Sequence, residues 1–170
     1  DYVYFEGGVL KDVDNIYSYT TSNTKYVVEE GQKGTWYLDS RCDYRGTLEG
    51  AGTLTIHSTG PRNSIMGNWS GFTGTITHNG TKTGSYDPSL TFANGYGIEK
   101  ATLNNNQYFD NSGKNVKIGA LNGAATMAGA GMYTIGGNNK DCKYEGTFSA
   151  SKLTKVGTGA LSLTTVQSSI

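Results

Sequence analysis

The chain has 170 residues, with 14 acidic and 14 basic residues and a formal net charge of zero. This neutral balance, without a Lys/Arg cluster, argues against a nucleic-acid partner, because phosphate backbones are bound by several converging cations. No apolar run approaches the ~20 residues of a membrane helix. The chain has 25 glycines, and glycine is a poor helix former, so a compact all-helical protein is excluded.

The same composition favours β-structure over disorder. The chain contains 12 Tyr, 5 Phe and 2 Trp, interleaved with Val, Ile and Thr. Disordered Gly/Ser-rich chains lack these residue types, which pack well on a pleated, half-buried surface. We therefore expect a folded, nearly all-β chain.

The predicted strands are short and are separated by Gly, Asn and Ser residues. In chain order they are 2–5, 26–28, 35–38, 52–56, 74–77, 90–92, 100–103, 116–118, 133–135, 144–148 and 160–163. Runs of this length are too short for most sandwich strands and suit one side of a solenoid coil, where each strand pairs with the coils above and below. We predict a right-handed parallel β-helix of about six to seven coils.

A recurring aromatic-x-Gly-Thr string supports the solenoid. It begins at Tyr44, Phe72 and Tyr144, which are 28 and 72 residues apart and therefore fit coils of about 24 to 28 residues. The alternative is a chance recurrence in a chain rich in Gly and Thr. Residues 1–34 match the string least, so we predict an N-terminal cap or edge segment there and coils over 35–170 of a single domain.

The two cysteines are predicted to be free. Cys42 and Cys142 each lie two residues before the aromatic of a repeat string. Four coils stacked about 4.8 Å apart would separate them by about 19 Å. A disulfide needs Cα atoms within about 7 Å, so each cysteine is expected to be a small buried side chain.

One string near the end of the chain resembles a known family. Residues 153–163 read Leu-Thr-Lys-Val-Gly-Thr-Gly-Ala-Leu-Ser-Leu and resemble the Leu-Thr-Lys-x-Gly-x-Gly-x-Leu-x-Leu signature of autotransporter-associated β-strand repeats. Residues 50–74 and 118–138 are similar to secreted β-helix proteins of Bacteroidetes-type bacteria. The resemblance covers roughly residues 37–163 and implies an exported or cell-surface β-helix, with little information about chemistry. It also implies a C-terminal end or a processing point near Ile170.

Few residues suggest catalysis. Of the Asn-x-Asp, Asp-Asp and Gly-His-Gly motifs that the resemblance implies for β-helical galacturonases, Asp-Asp and Gly-His-Gly do not occur, and Asn-x-Asp occurs once, at residues 139–141. Asp39 and Asp43 flank Arg41 and could approach the ~5 to 9.5 Å spacing of paired catalytic carboxylates. A turn with Asx hydrogen bonds and ion pairing is the favoured interpretation. An enzyme is therefore not indicated, although the sequence leaves the question open.

Metal binding is not indicated either. Asp12 and Asp14 resemble the start of a calcium loop, but the glycine and the glutamate expected later in such a loop do not follow. His57 and His78 have no carboxylate or cysteine at metal-ligand spacing, and each is expected to point outward from a strand. No metal or other cofactor is predicted.

Ligand binding has more support. Several aromatics in or beside turns could stack on sugar rings, or could instead stack inside the coils: Trp36, Tyr37, Trp69, Tyr86, Tyr96 and Tyr108. Because adjacent strand residues point to opposite faces, either Trp36 or Tyr37 should face outward. The candidate ligand-binding residues are Trp36, Tyr37, Asp39, Arg41, Trp69 and Tyr96.

These observations predict a non-catalytic exported or cell-surface module of a bacterium. It would serve as a scaffold or as an adhesive, glycan-binding segment of a larger protein or complex, with a glycan or a neighbouring surface protein as partner. Two alternatives stay open. One is an accessory or C-terminal piece of a polysaccharide lyase or glycoside hydrolase. The other is a self-assembling surface subunit that associates end to end or through edge strands.

Overall fold

The protein is a β-solenoid of about 7 turns. The structure, a computed structural model, describes residues 1–11, 24–38, 41–81 and 87–164. In these residues there is no helix, and every strand pair is parallel. The predicted all-β parallel solenoid is confirmed.

The strands form three sheets. The three-stranded sheet contains β1 (Tyr2–Tyr4), β3 (Lys25–Val28) and β6 (Thr47–Gly50). The six-stranded sheet contains β5 (Asp43–Tyr44), β8 (Asn63–Ile65), β10 (Leu90–Phe92), β12 (Phe109–Asp110), β14 (Met127–Ala128) and β17 (Phe148–Ser149).

The third sheet is the largest, and we call it the large sheet. Its main path contains β2 (Val9–Lys11), β4 (Lys33–Leu38), β7 (Thr53–Ser58), β9 (Thr75–Gly80), β11 (Ile98–Asn105), β13 (Asn115–Gly123), β15 (Met132–Ile135) and β18 (Lys152–Lys155). Beside this path, β16 (Cys142–Tyr144) pairs with β13 and with β19 (Leu161–Leu163).

The later coils keep three sides although the three-stranded sheet has ended. Residues Asn115 to Ile118 of β13 pair with β15, whereas Gly123 of the same strand pairs with β16. A register shift between Ile98 and Thr102 of β11 marks the same place on the preceding coil. One long strand therefore covers the two sides that are separate strands on the next coil.

Coil length varies more than the repeat string predicts. Thr77 and its register partner Asn104 are 27 residues apart, whereas Asn104 and its next partner Asn122 are 18 residues apart. The coil length expected from the repeat string is therefore wrong for the shorter coils. Loops at the corners absorb the difference, because a strand in register with its neighbours cannot change length without breaking the ladder.

Strand alternation explains the core. In β7 the buried positions are Leu54, Ile56 and Ser58, and the residues between them are partly exposed. Successive side chains on a strand point to opposite faces, so each coil sends every second residue inward. A line of aromatic rings results, with centroids 5.2 to 6.3 Å apart from one ring to the next: Phe5, Trp36, Trp69, Phe92, Phe109, Tyr133 and Phe148.

The aromatic-x-Gly-Thr strings mark corners, and not one fixed place in a coil. The string at Tyr44 connects β5 to β6, whereas the string at Tyr144 connects β16 to β17. A Cβ at Gly46 would overlap the Thr24 carbonyl oxygen of the preceding coil, and one at Gly146 would overlap the Ala125 carbonyl oxygen. Glycine is needed there because two backbones meet where a side chain has no room.

Neither cysteine forms a disulfide and both are buried, as predicted. Their predicted equivalence is wrong. Cys42 directly precedes β5 of the six-stranded sheet, whereas Cys142 is the first residue of β16 beside the large sheet. Variable coil length shifts equivalent-looking sequence positions onto different sides of the solenoid.

Strand β4 spans the predicted boundary between segment 1–34 and the coils from residue 35. Strands β1 and β2 join the same parallel ladders as the later coils, through β3 and β4. The early residues therefore continue the solenoid ladders, and a capping role for this segment stays a prediction.

Candidate binding face

A continuous column of side chains runs along the outside of the six-stranded sheet. We call it the outward column; it consists of Asp43, Ser64, Thr91, Asp110, Ala128 and Ser149, each in register with the next. The residues beside it on the same strands, such as Ile65 and Phe109, fill the core. With coils about 4.8 Å apart, the column is about 24 Å long.

A depression of about 240 Å³ lies toward the first coils of this column, lined by Arg41, Asp43, Arg62 and Ser64. We call it the arginine depression. Asp43 and Ser64 are register partners on adjacent coils, and the two arginines are separated by the same interval along the chain. The arginines therefore occupy equivalent corner positions on adjacent coils.

The backbone at both arginines is left-handed. Arg41 and Arg62 each have φ of 62°, a region that non-glycine side chains adopt at a cost of about 1–2 kcal/mol. The Arg41 N–H donates to the Pro61 carbonyl oxygen at 3.0 Å, and the Arg62 N–H donates to Ser89 Oγ at 3.0 Å. These bonds hold the corner on two successive coils.

A second, larger depression of about 570 Å³ lies toward the later coils of the column. We call it the tyrosine depression. Small residues and two serines line it beside Tyr108 and Asp110: Ala128, Gly129, Ala130, Ser149, Ala150 and Ser151. The Tyr108 ring is 40% exposed, and burial, the Asp110 charge and a hydrogen bond to Asp110 raise the pKa of Tyr108. The Ser112 N–H donates to Asp110 Oδ1 at 2.6 Å, which orients the carboxylate.

The two predicted tryptophans do not face solvent. Trp36 is 1% exposed and Trp69 is 0% exposed, and the Trp69 Nε1–H donates to the Gly46 carbonyl oxygen at 3.2 Å. Their assignment as ligand contacts is therefore wrong, because both indoles belong to the line of core rings.

The other predicted residues are dispersed. Tyr37 is the outward member of its pair with Trp36; its ring packs 4.8 Å from His57, and the Lys11 ammonium lies 5.2 Å from its centroid. Tyr96 is 54% exposed in the turn after β10. Arg41 lines the arginine depression.

Other sequence-level candidates cannot be placed. Asp39, Asp12, Asp14 and Tyr86 lie outside the described residues.

His78 is buried, so the prediction that it points outward is wrong. The Ser58 hydroxyl donates to His78 Nε2 at 2.9 Å, and His78 Nδ1–H donates to Asn105 Oδ1 at 2.9 Å. This order of nucleophile, base and orienting group is the one serine hydrolases use. All three residues are 0% exposed, so a substrate carbonyl cannot reach the hydroxyl, and the array satisfies buried polar groups of the core.

In the described ranges, no group of three or more His, Cys, Asp or Glu residues lies close enough to hold a metal ion. Over that part of the chain, there is also no helix long and apolar enough to cross a membrane.

Comparison of the chain with protein-family models, curated proteins and solved structures found no match. The assignment of the fold therefore depends on the strand ladders and the core of this chain, and not on a related protein. The resemblance to autotransporter-associated repeats stays an expectation.

Sequence reasoning missed Arg62, Ser64 and the small residues of the tyrosine depression. A signal for the first two was present, because Arg41-x-Asp43 recurs as Arg62-x-Ser64 one coil later. It could be recognised only by testing a coil length shorter than the one the repeat string indicated. For the small residues, the neighbouring sequence does not distinguish an alanine that lines a depression from an alanine at an ordinary corner.

Proposed function

We propose that this chain is a non-catalytic, exported or cell-surface β-solenoid module of a bacterium, and that it binds a glycan along the outward column. One observation carries the proposal. A single lengthwise column connects two depressions on the same side of a rigid parallel ladder. Its length of about 24 Å suits an extended chain ligand better than a compact one.

The tyrosine depression supplies the chemistry for a sugar. An aromatic ring offers an apolar face against which the apolar side of a sugar ring can pack. Asp110, Ser149 and Ser151 supply polar atoms that can pair with hydroxyl groups. The rest of the lining is small: Ala128, Gly129, Ala130 and Ala150. A concavity that combines apolar surface with a few placed polar groups is typical of ligand sites.

The exported location is supported by the resemblance of residues 153–163 to the autotransporter-associated signature. The solenoid also suits a scaffold, because each coil buries its ladder against its neighbours and presents a long, repetitive surface.

The test uses the full chain on an array of bacterial and plant cell-wall polysaccharides, followed by titration calorimetry with the best binder. Tyr108→Ala should weaken binding about tenfold, because the stacking surface is lost. Tyr4→Ala is the control, since Tyr4 is 53% exposed on β1, outside the six-stranded sheet. Absence of any binder, or equal affinities for Tyr108→Ala and the unmodified chain, contradicts the proposal.

A further inference from the structure

We propose that the arginine depression binds the acidic group of a saccharide, a uronate carboxylate or a sulfate ester. This inference rests on the proposed glycan function of the same face and specifies the class of glycan. Both acidic groups present oxygen atoms that a guanidinium can bind through two parallel hydrogen bonds.

The distribution of arginine supports the proposal. The chain has 14 basic residues, and only Arg41, Arg45 and Arg62 are arginines. Two of them line the depression, and Arg45 Nη2 lies 4.0 Å from Asp43 Oδ2. A chain with no net charge thus gathers every arginine around one outward position. Arginine is favoured over lysine where an oxyanion is held by a planar fork.

Among the described residues that line this depression, Asp43 is the one carboxylate, and it opposes an anion there. The ion pair with Arg45 partly compensates its charge. Among the described side chains around this position, the guanidinium groups of Arg41, Arg45 and Arg62 outnumber the Asp43 carboxylate. Ser64 adds a hydroxyl that can donate to an acidic oxygen.

The backbone gives an independent argument. Arg41 and Arg62 each occupy a left-handed conformation with φ of 62°, where Asn or Gly would be accommodated at lower cost. The described residues contain two other non-glycine residues with positive φ, Ser112 and Asn139, and both have short polar side chains. Strain retained at two equivalent corners indicates that the long cationic side chains are needed there.

The stacking also sets the spacing. Equivalent residues on adjacent coils lie about 4.8 Å apart, so the two arginines project from neighbouring levels of one corner. Because both arginines line the same depression, they can hold one acidic group between them, while the rest of the saccharide continues along the outward column toward Tyr108.

The experiment measures binding of four probes to the full chain by titration calorimetry at a salt concentration of about 0.15 M. The probes are an oligogalacturonate, its carboxyl-reduced form, a sulfated galactan oligomer and its desulfated form. We expect at least one acidic probe to bind about tenfold or more tightly than its neutral counterpart. The acidic probe that binds identifies the acidic group.

The decisive variant is Arg62→Asn. It should weaken the acidic probe about tenfold, leave binding of the neutral probe unchanged, and raise the unfolding temperature, because asparagine tolerates the left-handed conformation better. A purely structural role for Arg62 would not combine lost affinity with gained stability. Lys100→Gln removes a cation that is exposed on β11 in the large sheet and should change none of these values.

The failures are distinguishable. Equal affinity for acidic and neutral probes, or an unchanged affinity in Arg62→Asn, overturns the inference while the glycan function stands. A single-stranded DNA of matched charge is titrated in the same way as a control beside the four probes, and equally tight binding of this DNA overturns the assignment to a saccharide. If none of the four probes binds and the polysaccharide array is also blank, the proposed function fails together with the inference.

Discussion

His78 should make the stability of the fold depend on pH. The imidazole is buried between Ser58 and Asn105, and burial lowers the pKa of His78 from 6.5 to about 4. The amide nitrogen of Asn105 donates to the Tyr144 hydroxyl at 3.3 Å, so its oxygen faces the imidazole and accepts the Nδ1 proton. His78 Nε2 is then an acceptor, and a second proton on the ring would reverse its bond with Ser58, whose hydroxyl would then donate to the Asn79 carbonyl oxygen at 3.3 Å.

The sign of the effect follows from the two pKa values. Between about pH 6.5 and 4, His78 binds a proton in the unfolded chain but stays neutral in the folded chain. The free energy of unfolding therefore falls as the pH falls. The contribution is fully present above pH 6.5 and is lost by about pH 4. Between about pH 7.5 and 4.5 it amounts to about 2.5 kcal/mol, a large part of the ~5–15 kcal/mol that stabilises an ordinary domain.

The assay is urea unfolding at both pH values for the unmodified chain and for His78→Gln. Glutamine can donate to Asn105 and accept from Ser58 without titrating, so the variant keeps both hydrogen bonds. The unmodified chain should lose about 2.5 kcal/mol more than His78→Gln on acidification, which separates His78 from the carboxylates common to both chains. His57→Gln removes a nearby charge that also lowers the pKa of His78, so this variant should lose slightly less free energy of unfolding than the unmodified chain on acidification. Equal losses in His78→Gln and the unmodified chain would refute the reasoning.

Two further predictions concern the corners and the thiols. Gly146→Ala should lower the free energy of unfolding by at least about 2 kcal/mol, because its methyl group would overlap the Ala125 carbonyl oxygen. Gly8→Ala, where the space is open, should change the free energy of unfolding far less. Similar urea midpoints for the two variants would contradict the steric argument. Cys42 and Cys142 are buried thiols outside any disulfide, so an aromatic disulfide reagent should titrate two thiols in denaturant and react slowly with the native chain. A rapid reaction with the native chain would contradict this prediction.

The solenoid could be predicted from sequence because its determinants are local. Short strands with glycine at the bends define a ladder of coils without reference to distant residues. The sequence also indicates that the Trp36 side chain points inward. The alternation in β4 places Trp36 with Leu38 on one face and Thr35 with Tyr37 on the other, and the more apolar pair is the buried one.

Other features depend on coil length, which the sequence does not display directly. The unequal lengths of successive coils separate Cys42 from Cys142 onto different sheets and bring Arg62 beside Arg41. The burial of His78 follows from the same cause, since its partner Asn105 is 27 residues away along the chain. Each pairing becomes visible only when the register of neighbouring strands is known.

Gly123 allows a hydrogen bond between two coils that are not neighbours in the solenoid. On three successive coils Asn105, Gly123 and Tyr144 are in register. The glycine has no side chain, so Asn105 and Tyr144 hydrogen-bond across it. In an array coupled only between neighbours, coils can be lost from an end one at a time. Here, detaching the coil of Tyr144 also breaks a bond to the second coil below, so these three coils should open as one cooperative block.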